Sequence, residues 1–191
     1  MRISLSTIFA IAASLAIPGF AIAADSEGST NRTYLHKNWQ IQSSCEAKAI
    51  GDQISVAGFD ALAWHKADIP AIVVGALVTD KTYRDPNYAT NLDSFPGMSH
   101  SNKQLFANMD MPDDSPFKCS WWYRIEFSSP AAADKNVWLN FLGINYRANI
   151  WVNGQKIADT NDVAGTYRAY EFNVARFVPY RGMTHNSNVF D

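Results

Sequence analysis

The 191-residue sequence has few charged residues and no excess of either sign. Charged residues make up 18% of the chain, below the roughly 25% of an average soluble domain, and 16 Lys and Arg are balanced by 18 Asp and Glu. A chain without a basic surplus lacks the electrostatic field that holds a nucleic-acid backbone, so we expect no nucleic-acid partner. Intrinsic disorder is excluded as well, because 47% of the residues are hydrophobic and 13% are aromatic.

Motifs for catalysis, phosphate binding and metal binding are also missing. There is no Gly-rich phosphate loop, no Gly-x-Ser-x-Gly nucleophile motif and no His-Glu-x-x-His zinc motif. The four histidines are scattered and only four glutamates are present, of which Glu126 and Glu171 fall in predicted strands, where they face solvent or pair with Arg124 or Arg168. We therefore assign no catalytic residue, no metal ligand and no cofactor.

Cysteine is nearly absent, with only Cys45 and Cys119 in the chain. Two cysteines without further Cys or His at ligand spacing do not form a zinc site. In an oxidising compartment the pair could form a disulfide, which would close a loop of about 75 residues and stabilise the fold by roughly 4 kcal/mol. The sequence does not show whether the two Cα atoms approach closely enough, so the pair is a disulfide candidate.

The first 24 residues have the features of a secretory signal peptide. A positive start at Arg2 precedes a mostly apolar segment over residues 3–20, and small residues at 21–24 provide a cleavage site. No later apolar run is long enough to cross a bilayer, so we expect no membrane partner. The sequence thus predicts export to the periplasm or the cell exterior, a flexible leader at residues 25–33 and one domain after it.

Alternating apolar and polar residues predict an all-β fold, because a half-buried strand has a period of two. After the strand over residues 147–152, Asn153 and Gly154 are suited to a type I′ hairpin turn, with a return strand at 155–158. Short strands separated by turns indicate an antiparallel sandwich. The other strands are predicted over residues 39–45, 121–128, 137–142 and 167–174.

Two regions do not follow the strand pattern. Residues 71–78 follow Pro70 and predict a short helix, although their Ile-Val-Val run also suits a strand. Residues 80–118 show little periodicity and contain four prolines. Since this stretch also contains Tyr83, Tyr88, Phe95 and Phe106, we expect an ordered loop that packs against other residues.

Three tryptophans lie on the strand face opposite the main apolar row: Trp122, Trp138 and Trp151. Flat indole rings suit the C–H faces of sugars, for the same reason that makes Trp an anchor at interfaces. The simpler interpretation is that both faces of the sheet are covered, by the second sheet or by a neighbouring domain. The three residues are therefore candidates for sugar binding with a purely structural alternative.

Two segments are distinctive beyond their periodicity: WWYRIEF at residues 121–127 and VWLNFLGINYRANIWVNG at residues 137–154. With shorter pieces in the same order, they resemble the N-terminal domain of glycoside hydrolase family 2, in the branch of the exo-β-glucosaminidases and β-mannosidases. The resemblance covers about residues 34–178. It implies a jelly-roll, galactose-binding-like β-sandwich that precedes an immunoglobulin-like domain and a catalytic (β/α)8 barrel.

The resemblance also bears on activity. The catalytic glutamates of the family lie on the barrel, one of them in an Asn-Glu pair, and no Asn-Glu pair occurs here. A barrel needs about 250 residues. The chain is therefore expected to be a non-catalytic domain of an exported enzyme that acts on β-linked glucosaminides or mannosides, with a carbohydrate or a catalytic barrel as partner. The alternative is a free-standing carbohydrate-binding module that uses its surface tryptophans.

Two places depart from the family pattern. In related enzymes the N-terminal domain lends a loop to the barrel pocket, and the matching residues 85–91 make Asp85 and Asn91 candidates for hydrogen bonds to sugar, with unusual residues at Arg84 and Ala89. Residues 179–191 are polar and lack the family's final strand. We expect an irregular tail there, a sandwich without its closing strand, and a truncated gene product.

Overall fold

The computed structural model describes residues 32–96, 111–128 and 136–178, and the backbone of residues 186–190. The predicted signal peptide and most of the predicted leader lie outside these residues. Two short α-helices are described, α1 (Gly51–Ile54) and α2 (Val73–Thr79). The strands are β1 (Trp39–Ser43), β2 (His65–Ala67), β3 (Trp121–Phe127), β4 (Trp138–Phe141), β5 (Ile150–Val152), β6 (Gln155–Ala158), β7 (Tyr170–Asn173) and β8 (Asn186–Phe190).

The strands form two antiparallel sheets. One sheet has six strands in the order β2-β1-β3-β8-β5-β6, and the other pairs β4 with β7. Ile41, Ile125 and Ile150 of the larger sheet share a hydrophobic core with Leu139 and Tyr170 of the smaller one. The two sheets therefore pack face to face, and the prediction of an all-β sandwich is confirmed.

Three local predictions from the sequence are confirmed: the alternation of buried residues in β1, the hairpin turn after β5 and the helix after Pro70. In β1 the alternate residues Trp39, Ile41 and Ser43 are buried, as a period of two requires. Asn153 and Gly154 connect β5 to β6 with φ angles of 49° and 82°, the positive values of a type I′ turn. The segment after Pro70 forms the helix α2, which buries Ala76 and Leu77.

The prediction of an irregular tail without a closing strand is wrong for residues 186–190. These residues form β8, which lies between β3 and β5 and pairs with both. A strand with a neighbour on each side is stabilised by backbone hydrogen bonds along both of its edges. Such bonds do not require alternating side chains, so the sequence pattern does not indicate them. Pairing with β8 gives β3 and β5 the neighbour that we had expected to be missing. Residues 179–185 and Asp191 lie outside the described residues.

Cys45 and Cys119 form a disulfide in the structure, with Cα atoms 6.0 Å apart. Cys45 lies two residues after β1, and Cys119 lies two residues before β3. Because β1 and β3 are paired neighbours, the strands bring both cysteines to the same end of the sheet. The bond thus joins the turn after β1 to the residues just before β3.

Candidate functional site

The loop over residues 80–96 is held at its base by stacked aromatic rings. The ring centroids of Tyr83 and Phe95 lie 4.4 Å apart, and that of Phe117 lies 5.9 Å and 6.3 Å from them. Phe117 in turn lies 6.4 Å from Trp121, the first residue of β3. Each such pair contributes about 0.5–1.5 kcal/mol beyond its buried area. The expectation that these residues form an ordered loop is confirmed for residues 80–96, whereas residues 97–110 lie outside the described residues.

A polar cluster holds the start of the same loop against β2. Asp80 Oδ2 lies 3.0 Å from His65 Nδ1 and accepts a hydrogen bond from Thr82 Oγ1 at 3.2 Å, and Asp80 Oδ1 accepts one from the Lys66 amide at 3.2 Å. Burial raises the pKa of the Asp80 carboxyl, but the hydrogen bonds from His65, Lys66 and Thr82 outweigh this effect and hold the pKa below its ordinary value. Asp80 is therefore an ionised anchor of the loop.

The tip of the loop brings together Asp85 and Asn91, the two residues of this loop that the family resemblance makes candidates for sugar binding. Asp85 Oδ1 accepts hydrogen bonds from the amide and the side-chain nitrogen of Asn87 at 2.9 Å and 3.1 Å, which is the geometry of an Asx-turn. Asn91 Nδ2 donates to the backbone oxygen of Asp85 at 3.0 Å. Among the described residues, neither Asp85 Oδ2 nor Asn91 Oδ1 has a hydrogen-bond partner. Both oxygens remain available to a ligand.

An open concavity of about 430 Å³ lies against the loop. Hydroxyl, amide and guanidinium groups on its wall can bind a polyhydroxylated molecule, and Tyr83 adds an aromatic ring. Asn91 belongs to this wall, whereas Asp85 does not. The lining residues are Thr82, Tyr83, Arg84, Thr90, Asn91 and Ser94.

The structure buries two of the three candidate tryptophans, which therefore form no surface platform. Trp122 is 6% exposed and Trp151 is 9% exposed, and their ring centroids lie 5.3 Å apart. Both pack against Ile54 of α1, within a segment over residues 47–64 that we call the covering segment. This segment covers the second face of the six-stranded sheet, as the structural alternative required. Trp138 differs, because it lies on β4 and is 52% exposed.

A buried arginine holds the covering segment in place. Arg124 is 2% exposed and donates from Nε to the Ile54 oxygen at 3.0 Å and from Nη2 to the Val56 oxygen at 3.1 Å. It also pairs with Glu126, whose Oε1 accepts a hydrogen bond from the Gly58 amide at 3.0 Å. The Arg124–Glu126 pair was one of the sequence alternatives. The burial of Arg124 was missed, and its only sequence signal is a cation within an apolar strand.

The described part of the chain holds neither a cluster of metal-ligating side chains nor a membrane-spanning helix. Across residues 32–96, 111–128 and 136–178, no three His, Cys, Asp or Glu side chains converge to form a site for a metal ion. None of the described helices has the length and apolarity needed to span a bilayer.

Comparison with known proteins gives consistent matches. Residues 113–188 match the family model described as the glycosyl hydrolase 2 galactose-binding domain-like region. The exo-β-D-glucosaminidase of Streptomyces avermitilis is 30% identical over 140 residues, which cover 73% of this chain and 14% of that protein. Residues 113–188 thus have the sequence of a galactose-binding-like domain of glycoside hydrolase family 2. The resemblance noted in the sequence is confirmed.

Further relatives of this family 2 domain are also glycosidases, and a solved structure shares its fold. The mannosylglycoprotein endo-β-mannosidase of Lilium longiflorum is 26% identical over 126 residues, covering 64% of this chain and 12% of that protein. Among solved structures, the exo-chitosanase CsxA of Amycolatopsis orientalis superposes with a TM-score of 0.65 at 26% identity, covering 81% of this chain and 16% of that one. The chain spans 11% to 17% of the length of the curated relatives it matches.

Proposed function

We propose that this family 2 domain is the accessory domain of a glycosidase that acts on β-linked glucosaminides or mannosides, and that it contributes the loop over residues 80–96 to the sugar pocket of a catalytic domain. The observation that carries the proposal is the construction of the loop, which has a fixed base and an exposed polar tip. The substrate class rests on the names of the relatives, which are exo-β-D-glucosaminidases and an endo-β-mannosidase.

The chemistry of the loop is that of binding and orientation. Sugar hydroxyls both donate and accept hydrogen bonds, and Asp85 Oδ2 and Asn91 Oδ1 are acceptors that no described residue occupies. Because the aromatic stack and the Asx-turn already order the loop, binding costs little further conformational entropy. In this arrangement the domain orients the sugar and the catalytic domain supplies the acid and the nucleophile, so the purified chain hydrolyses no aryl glycoside.

A chimeric enzyme tests the role of the loop. Residues 34–190 replace the matching domain of the Streptomyces avermitilis exo-β-D-glucosaminidase, and hydrolysis of 4-nitrophenyl β-D-glucosaminide is measured. The Asp85→Asn variant keeps the oxygen that forms the Asx-turn but loses the negative charge. We expect KM to rise about fivefold, with kcat and Tm unchanged, because hydrogen bonds to a charged group contribute to substrate binding.

Asp60→Asn is the matched control for this experiment. Asp60 Oδ1 accepts a hydrogen bond from the Leu62 amide at 3.1 Å, so it forms the same kind of exposed turn in another loop. We expect this variant to retain the KM of the parent chimera. Equal KM values for both variants would contradict the role of the loop, as would hydrolysis by the purified chain that survives repurification.

We also propose that the protein is exported, with cleavage after Ala24. The Cys45–Cys119 disulfide supports export, because structural disulfides form and persist in oxidising compartments. The mass of the protein isolated from its native host should correspond to a chain that begins at Asp25, with both cysteines oxidised. An intact Met1 and two free thiols would contradict the proposal.

A further inference from the structure

The two-stranded sheet has an outer face that no described residue covers. Its register pairs Trp138 with Asn173 and Asn140 with Glu171. These four residues alternate with core residues along β4 and β7, and all four are exposed. Side chains of a strand alternate between faces, so the four project together from the side opposite the core.

The register also sets the spacing of the functional groups on this face. Residues two apart along a strand are separated by about 6.5–7 Å, and directly opposite residues by about 4.5–5.5 Å between Cβ atoms. Trp138 and Glu171 are diagonal neighbours, at about 7–8 Å. The indole ring, the Asn140 amide and the Glu171 carboxylate therefore lie within reach of one short oligosaccharide.

The polar groups on this face differ in how they are bound. Asn173 donates from Nδ2 to Asn136 Oδ1 at 2.9 Å and accepts from the Ala175 amide at 3.1 Å, so it is held locally. The side chains of Asn140 and Glu171 have no hydrogen bond or ion pair with any described residue. The face thus offers an amide, a carboxylate and a half-exposed aromatic ring to a ligand.

We propose that this outer face of β4 and β7 binds a cationic, β-linked glucosamine oligosaccharide. The Trp138 ring stacks on the C–H face of one sugar and attracts an ammonium group through its negative π-face. The Glu171 carboxylate accepts a hydrogen bond from the ammonium group, and the Asn140 amide donates to and accepts from hydroxyl groups. The site is separate from the loop over residues 80–96 and does not depend on its role.

Charge complementarity favours a cationic sugar over a protein partner or a neutral sugar. The only charged residue among the four is Glu171, and an ammonium group is its natural counterpart. A docked protein would bury Glu171 and Asn140, and the centres of protein interfaces are depleted in charged residues because unpaired polar groups are costly to bury. A neutral sugar would leave the carboxylate without a cation.

Calorimetric titration of the full chain tests the proposal with three probes: a glucosamine tetramer, its fully N-acetylated form, and mannotetraose. We expect the glucosamine tetramer to bind most tightly. The Trp138→Ala variant should weaken its binding about five- to tenfold. The Glu171→Gln variant should weaken binding of the glucosamine tetramer about two- to fivefold and leave binding of the N-acetylated form unchanged.

Two control variants separate this face from other sites. Tyr34→Ala removes another aromatic ring, which is 65% exposed, and Asp60→Asn removes the charge of another exposed carboxylate. Both should bind the glucosamine tetramer like the unaltered chain, and an unchanged Tm should show that all variants are folded. The proposal is overturned if the unaltered chain binds no glucosamine tetramer or binds all three probes equally. It is also overturned if Tyr34→Ala or Asp60→Asn weakens binding as much as Trp138→Ala does.

Discussion

The second face of the six-stranded sheet and the outer face of the two-stranded sheet both carry tryptophan, but they meet different surroundings. Trp122 and Trp151 lie under the covering segment, which Arg124 binds through backbone carbonyls. Trp138 lies on β4 among polar residues and remains half exposed. All three occupy the same kind of position in their strand pattern. The difference shows that periodicity assigns a side chain to a face, whereas packing of a distant segment decides whether that face is a core or a surface.

Removing the tryptophans should separate the two faces most strongly. Trp151→Ala should lower the free energy of unfolding by about 3–5 kcal/mol, because it leaves a large cavity under the covering segment. Trp138→Ala, on the open face, should change it by less than about 1 kcal/mol. Urea denaturation measures both values. Equal losses would contradict the contrast between a covered and an open face.

Substitution of Arg124 should loosen the covering segment without changing the tryptophans. Arg124→Met should cost about 3–5 kcal/mol, because it removes the cation that pairs with Glu126 and the guanidinium donors to the Ile54 and Val56 oxygens. Quenching of tryptophan fluorescence by acrylamide should increase as the covered rings become accessible. The control Arg168→Ala removes an exposed cation over Tyr170 and should leave quenching unchanged.

A single added methyl group tests how closely the covering segment packs on Trp151. A Cβ atom at Gly51 would overlap the ring of Trp151, so Gly51→Ala should destabilise the fold by about 1–3 kcal/mol. At Gly143 an added Cβ meets nothing within 4 Å. Gly143→Ala should therefore be nearly neutral by thermal denaturation. If Gly51→Ala is equally neutral, the covering segment does not pack on Trp151 as described.

The smallest effect is expected at Asp80, which anchors the loop over residues 80–96. This loop has a packed base and an exposed tip, so it repeats the contrast between the covered and the open face. The pKa of Asp80 is lowered from its ordinary value of 3.8, so its hydrogen bonds contribute stability above that pH, and the contribution is lost as pH falls through the lowered pKa. Asp80→Asn should reduce Tm at pH 6, and the difference from the unaltered chain should shrink towards pH 3. A difference that stays constant across this range would contradict an ionised anchor.

Much of the fold could be predicted because its signals are local. Alternation located β1, β3, β4 and β5, and the Asn153–Gly154 pair located the hairpin, since few residues accept its positive φ angles. The last strand could not be predicted in this way. β8 lies between two partners, and its formation depends on backbone pairing with β3 and β5. The predicted strand over residues 167–174 was too long at its start, where Tyr167 has a φ of 59°.

The candidate sites also contain some features that the local sequence predicts and others that depend on distant segments. Asp85 and Asn91 could be related in advance because they lie six residues apart in one loop, and their hydrogen bond is local. The concavity beside them could not, since its position depends on the stack of Tyr83 and Phe95 on Phe117. The association of Trp138 with Glu171 was missed as well, because it depends on the register between two strands that are distant in sequence.

The sequence by itself determined the all-β class, most strand positions, the hairpin turn and the family, because each is written in short-range periodicity or in contiguous motifs. Only the tertiary structure decided which tryptophans are buried, that Arg124 lies in the interior, and that Asn140 and Glu171 share a face with Trp138. The physical reason is that burial and strand register depend on segments far apart in the chain. The neighbours of a residue in sequence decide which face of the strand its side chain projects from, but they do not decide which other residues pack on that face.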